Sequence, residues 1–113
     1  YFNGSDSQVA ISNNSKFAVS DLTISAWVKW EGAVNADGTL AGDYAIVSNY
    51  NGGGTENHYG LRISSSGKAL FFYDDGSKWD QVSGTSLLTD GEWHLVTGVL
   101  SSGEEAKIYV DGI

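Results

Sequence analysis

A chain of 113 residues can bury one hydrophobic core but has no room for two. With 41% hydrophobic and 18% charged residues the composition is that of a folded domain, and no apolar run approaches the roughly 18 residues of a membrane helix, so neither disorder nor membrane insertion is expected. The balance of 14 acidic against 6 basic side chains, a formal charge of −8, repels phosphate backbones, which excludes nucleic acid as a natural partner and suits a divalent cation. Cysteine is absent, which removes disulfides and thiolate zinc sites. Methionine is absent too, even at position 1, so the chain reads as a processed product or an internal piece.

In chain order the pattern is strand, turn, strand. Residues 8–11 read as a short strand. Over 22–30, Leu22, Ile24, Ala26, Val28 and Trp30 alternate with Thr23, Ser25, Trp27 and Lys29, the period of two of a strand with one buried face. A long loop, 31–42, carries Asn35, Asp37 and Gly38. Segment 43–50 is largely apolar and rich in aromatic and β-branched residues, as a buried strand is, and leads into N-G-G-G-T-E-N over 51–57. Tyr59, Leu61 and Ile63 alternate with Gly60, Arg62 and Ser64; Lys68–Asp74 is aromatic and apolar; 80–83 reads as a short strand. In Trp93–Leu100, Val96 and Leu100 share one face while Leu95, Thr97 and Val99 share the other, which predicts a central strand. Ala106, Ile108 and Val110 alternate with Lys107 and Tyr109. Ser66-Gly67, Asp75-Gly76 and Asp90-Gly91 supply hairpin turns, and Asp111-Gly112 signals one more with only Ile113 after it. No convincing helix appears. Strands spaced this regularly predict an all-β, antiparallel two-sheet jelly-roll sandwich spanning 1–113 as a single domain.

Y-F-N-G-S-D-S-Q-V at the start, L-T-I-S-A-W-V-K-W at 22–30, Y-G-L-R-I at 59–63, L-T-D-G-E-W-H-L-V-T-G-V at 88–99 and K-I-Y-V-D-G at 107–112 together resemble the laminin-G-like, concanavalin A-like lectin/glucanase superfamily. The resemblance covers nearly the whole chain. It implies a two-sheet jelly roll deployed outside the cell, secreted or at the cell surface, as a glycan-binding or adhesion module. Against that pattern the chain is incomplete at both ends, lacking an opening strand and the strands that follow the Y-V-D-G turn.

Catalysis finds little support. Retaining glycosidases of the superfamily place alternate carboxylates on one strand face, in an E-x-D-x-x-E type run that is missing here. Glu104 and Glu105 are adjacent and so point to opposite faces if extended, and Asp74 and Asp75 lie in a turn. There is no HExxH, and the glycine-rich loop precedes a strand, not the helix a phosphate loop requires. His94, beside Trp93, reads as a structural residue held by a hydrogen bond near a strand start. His58, at a loop-to-strand junction, is either a ligand contact or a plain surface residue. Asn49, Asn51, Glu56 and Asn57 make the loop either a sugar-contacting loop, rich in donors and acceptors, or simple surface. Trp79, in D-D-G-S-K-W-D, is the tryptophan expected to be exposed and able to stack on a sugar, while Trp27, Trp30 and Trp93 are expected in the core, Trp93 closing one end of it. Some laminin-G-like proteins bind calcium; Asn3, Gly4 and Asp6 are the best-matched ligands here, against an ordinary Asx turn. Asn3-Gly4-Ser5 and Asn13-Asn14-Ser15 are glycosylation sequons that arise easily by chance.

The expectation is a non-catalytic extracellular carbohydrate-binding or adhesion module whose partner is a glycan or glycoprotein. The alternative is a structural subunit of an extracellular assembly or filament. In that case a neighbouring polypeptide completes the sheet beside Ile108 and Val110, because an uncovered edge is a template for strand addition.

Overall fold

The computed structural model describes residues 1–12, 17, 19–49, 58–74 and 77–113. The loop 51–57 and the turn at Asp75-Gly76 fall outside them, as does the sequon at Asn13. Seven strands are formed: β1 (Leu22–Lys29), β2 (Tyr44–Ser48), β3 (His58–Ile63), β4 (Lys68–Asp74), β5 (Trp79–Leu87), β6 (Trp93–Leu100) and β7 (Lys107–Val110). They make two antiparallel sheets, one of three strands in the order β1-β6-β7 and one of four in the order β2-β3-β4-β5. No α-helix is formed among the described residues. The architecture is the jelly-roll sandwich that the period-two runs predict, and β6 is central in its sheet as expected.

The core lies between the sheets because each strand sends every second side chain inward. Leu61, Ile63, Ala69 and Phe71 from the four-stranded sheet meet Val96 and Val110 from the other, with Leu22, Ile24, Ala26 and Val28 of β1 packed against them. Burying a side chain such as Phe71 stabilises the fold by about 1.5–3 kcal/mol. Its ring lies flat against Gly98, where a Cβ would stand 2.6 Å from the ring, so β6 can pass this close only as glycine. One end is sealed by polar backbone contacts. Leu40 N–H donates to Ser65 O, Leu88 N–H to Gly67 O and the Thr89 hydroxyl to Gly38 O, which brings the buried Leu40 and Leu88 over the β3–β4 turn.

Four expectations are corrected. Residues 8–11 belong to no strand: Val9 and Ile11 are exposed, and an apolar segment makes a strand only where another strand lies alongside to take its backbone hydrogen bonds. The segment at 43–50 yields the shorter β2, an edge strand whose Ala45 and Val47 face solvent, not a buried strand. The short strand at 80–83 is instead nine residues long, because β4 draws 84–87 into the ladder through a register shift that pairs Lys68 with Leu87 and Leu70 with Ser83. Finally, Trp27 and Trp93 are not core residues. They are 65% and 62% exposed. Trp27 sits in phase with Thr23, Ser25 and Lys29, and Trp93 pairs with Lys29, so both project from the outer face of the three-stranded sheet. Trp30 does pack against the core, tilted on Tyr44 at 4.8 Å.

Candidate functional site

Antiparallel register gathers one group of side chains at the end of the sandwich opposite the sealed one. His58 opposes Asp74, and Asp74 opposes Trp79, so β3, β4 and β5 set these three side by side. Phe72, one pleat further in on the same face, is fully buried even though that face is the outer one. Trp79 stacks on its ring at 5.1 Å and 24°, and the Arg62 guanidinium lies 4.4 Å from the ring centroid. The Phe72 ring leaves room because its partner across β3 is Gly60, where a Cβ would come within 2.6 Å of it. Trp79 is therefore held flat on a fixed aromatic base while remaining 50% exposed. A supported ring with solvent beside it is what a sugar platform needs, since little side-chain freedom is lost on binding.

Between the sheets at this end lies an open pocket of about 340 Å³. His58, Tyr73, Asp74 and Lys78 line it from the four-stranded side, and Ser102 and Glu105 of the β6–β7 loop from the other. The Lys78 ammonium pairs with Asp80 at 2.8 Å, and its pKa is raised by the hydrogen bond and charge of that carboxylate. The mixture of hydroxyl, carboxylate, ammonium and imidazole suits a ligand dense in hydroxyl groups. His58 begins β3, at the loop-to-strand junction expected, but it is not plain surface: it is buried and lines the pocket.

Of the other expected ligand residues, Asn49 lies at the same end but is used to build it. Its Oδ1 accepts the Tyr59 N–H at 2.6 Å, its Nδ2 donates to Phe17 O at 3.3 Å, and its backbone N–H donates to Tyr59 O. Asn51, Glu56 and Asn57 lie outside the described residues.

The opening turn has a geometry of its own. Asn3 Oδ1 accepts the backbone N–H groups of Ser5, Asp6 and Ser7 at 2.9–3.2 Å, Asn3 Nδ2 donates to Asp6 Oδ1, and Gly4 has a positive φ of 74°. This is an Asx turn. The asparagine oxygen that a calcium ion would need is directed at the backbone, so the residues in this arrangement do not fit the ion, and no group of three or more acidic or histidine side chains placed to hold a metal ion occurs among the described residues.

His94 is structural, as expected, but its partners were not legible. At the sealed end Nδ1 lies 2.8 Å from Asp111 Oδ2 and Nε2 lies 3.0 Å from Asp90 Oδ1. Those two carboxylates, Asp111 first, raise its pKa, and His94 in turn holds both carboxylates below the usual range. Asp111 Oδ1 also accepts the Leu95 N–H, and Asp111 adopts a left-handed φ of 55° ahead of Gly112 at 83°. Val110 and Ile113 exchange both backbone hydrogen bonds across this pair, so Asp111-Gly112 forms a type I′ hairpin turn.

Comparison with protein-family models finds one matching over residues 3–113, a laminin-G-like model described as the concanavalin A-like lectin/glucanases superfamily. Comparison with curated proteins found no match, and neither did comparison with solved structures. The match spans nearly the whole chain, and the chain belongs to that superfamily.

Proposed function

We propose that this member of the concanavalin A-like superfamily is a non-catalytic carbohydrate-binding module, working outside the cell, that holds a glycan or glycoprotein at the His58–Asp74–Trp79 end. The observation that carries the reading is Trp79, stacked on buried Phe72 and half-exposed next to Lys78 and opposite Asp74, two residues that line a pocket rich in hydrogen-bonding groups. A sugar's C–H face packs on the indole while its hydroxyls reach into the pocket. Asp74 and Asp80 are the only carboxylates on the described strands. Because Asp80 opposes Tyr73 and Asp74 opposes Trp79, the two carboxylates take opposite faces of the sheet. Two carboxyl groups about 5–5.5 Å apart across one bound sugar, which retaining hydrolysis requires, are not supplied by these strands.

The test is a glycan array run with and without a chelator, followed by titration of the best ligand. Trp79→Ala should weaken binding by about 1–2 kcal/mol, the loss of one stacking contact, with cooperative unfolding preserved. Unchanged affinity removes Trp79 from the site, and loss of binding on chelation brings a metal back into consideration.

A second reading is favoured by the Asp111-Gly112 turn. Ile113 pairs with Val110 across that turn, and among the described residues β7 pairs with β6 alone. In that reading the chain is a structural subunit, and a neighbouring polypeptide lays a strand against β7. Sedimentation of residues 1–113 separates the two. A monomer that unfolds cooperatively at all concentrations speaks against strand donation, and concentration-dependent assembly speaks for it.

A further inference from the structure

The outer face of the three-stranded sheet carries a second aromatic surface. Trp27 opposes Leu95, and Trp93 is one pleat along β6 from Leu95, so the two tryptophans are diagonal neighbours about 7–8 Å apart. Tyr109 extends the strip onto β7, opposite Thr97. Between them the Ser25 and Thr97 hydroxyls meet at 2.9 Å. No carboxylate stands on the outward phase of these strands, although the chain carries 14 acidic residues. The two lysines on it are offset at the rim, Lys29 by Glu31 at 3.0 Å and Lys107 by Glu104 at 3.5 Å. The strip is therefore aromatic, hydroxyl-bearing and electrically balanced on a strongly anionic molecule.

Size decides what it suits. Three strands about 4.8 Å apart and up to eight residues long give a flat footprint of about 400 Å², below that of a standard protein interface. A narrow strip that is aromatic, hydroxyl-bearing and without net charge suits a single extended neutral sugar chain. We propose that Trp27, Trp93 and Tyr109 form a second binding face that takes a neutral polysaccharide chain along the strands, its pyranose C–H faces on the indoles and its hydroxyls on Ser25 and Thr97. This face is on the sheet opposite the one that carries Trp79 and does not rest on that site.

The experiment is depletion of the full chain from solution by insoluble cellulose, chitin and starch, with covalently cross-linked, calcium-free alginate as an anionic control. The wild type should bind at least one neutral polymer. The Trp27→Ala/Trp93→Ala double variant should lose at least tenfold in affinity, and Trp27→Tyr/Trp93→Tyr should recover much of it. Depletion by the polymer should persist in a Trp79→Ala background and be lost when Trp27→Ala/Trp93→Ala is added to it, and the Trp27/Trp93 variants should leave binding of soluble oligosaccharides at the Trp79 end unchanged, so failure of one site is distinguishable from failure of the other. Both tryptophans are more than half exposed, and matched thermal unfolding checks that the variants fold. Absence of binding to every neutral polymer, binding to alginate alone, equal binding by the double variant, or a wild-type dimer that the double variant abolishes would each overturn the proposal, the last by showing that a second copy occupies the face.

Discussion

The two sheets turn different outer surfaces to solvent, although both carry aromatic residues on the outward phase. On the four-stranded sheet Phe72 is fully buried, roofed by Trp79 and Arg62 and admitted by Gly60. On the three-stranded sheet Trp27 and Trp93 are bare, because their neighbours are Leu95, hydroxyl residues and a lysine drawn away to Glu31. The difference is one of coverage. An outward aromatic becomes structural when a long or flat side chain on an adjacent strand can lie over it, and otherwise stays available for a ligand. Mutations at the covered Phe72 and at the bare Trp27 and Trp93 should therefore differ in kind, the first costing stability and the others costing binding.

The largest effect is expected at Phe72. Phe72→Ala removes a buried ring and the base under Trp79, and should cost about 3–5 kcal/mol by denaturant or thermal unfolding. If the loss is below about 1 kcal/mol, the ring is not the foundation of that face. The same variant should also weaken glycan binding at Trp79, because the indole would lose the partner that fixes its orientation.

A smaller, pH-dependent effect is expected where the three-stranded sheet is clasped. His94 has a folded pKa raised by Asp111 and Asp90, so its contribution is fully present below its ordinary unfolded value near 6.5 and fades as pH rises through the raised value. Asp111 and Asp90 have depressed folded pKa values, so theirs is present above the ordinary carboxylate range and is lost as pH falls through the lowered values. The clasp should contribute most between about pH 4 and 6.5. The wild type should lose several degrees in Tm between pH 5.5 and pH 9 relative to His94→Gln, which lacks the titrating ring. Parallel pH profiles for the two proteins would show that the clasp is not ionic.

What the sequence made legible follows from the same contrast. The fold came from alternation and Asp-Gly turns, and both are local. The phase of 22–30 already placed Trp27 with Thr23, Ser25 and Lys29; expecting it in the core gave residue type precedence over phase, and phase was the better guide. Trp93 could have been placed the same way, since Val96 and Leu100 set the inward phase and Trp93 is out of step with them. The Phe72–Trp79–Arg62 stack and the His94–Asp111 clasp could not be read, because each depends on register between strands that sequence spacing does not state. The tail of β5, Ser83–Gly84–Thr85–Ser86, has no apolar pattern and is a strand only because β4 pairs with its ends. Residues 8–11 show the converse, a pattern without a partner.

The smallest effect expected is on the stability of the bare face, and it is the sharpest test of the contrast. Trp27 and Trp93 are 65% and 62% exposed, so truncating either removes little buried area and leaves no cavity. A surface substitution of this kind falls within about 0.5 kcal/mol of neutral. Two corrections act in opposite directions. Alanine is a poorer strand former than tryptophan, and the cross-strand contacts of Trp27 with Leu95 and Trp93 with Lys29 are lost, each a few tenths of a kcal/mol. Against that, removing exposed apolar rings lowers the tendency to associate at high concentration. Trp27→Ala and Trp93→Ala should therefore each shift the unfolding free energy by less than about 1 kcal/mol, against about 3–5 for Phe72→Ala on the other sheet. A loss of about 2 kcal/mol or more at either tryptophan would mean that it is packed in solution, by the chain itself or by another copy, and the two outer faces would then be alike in kind.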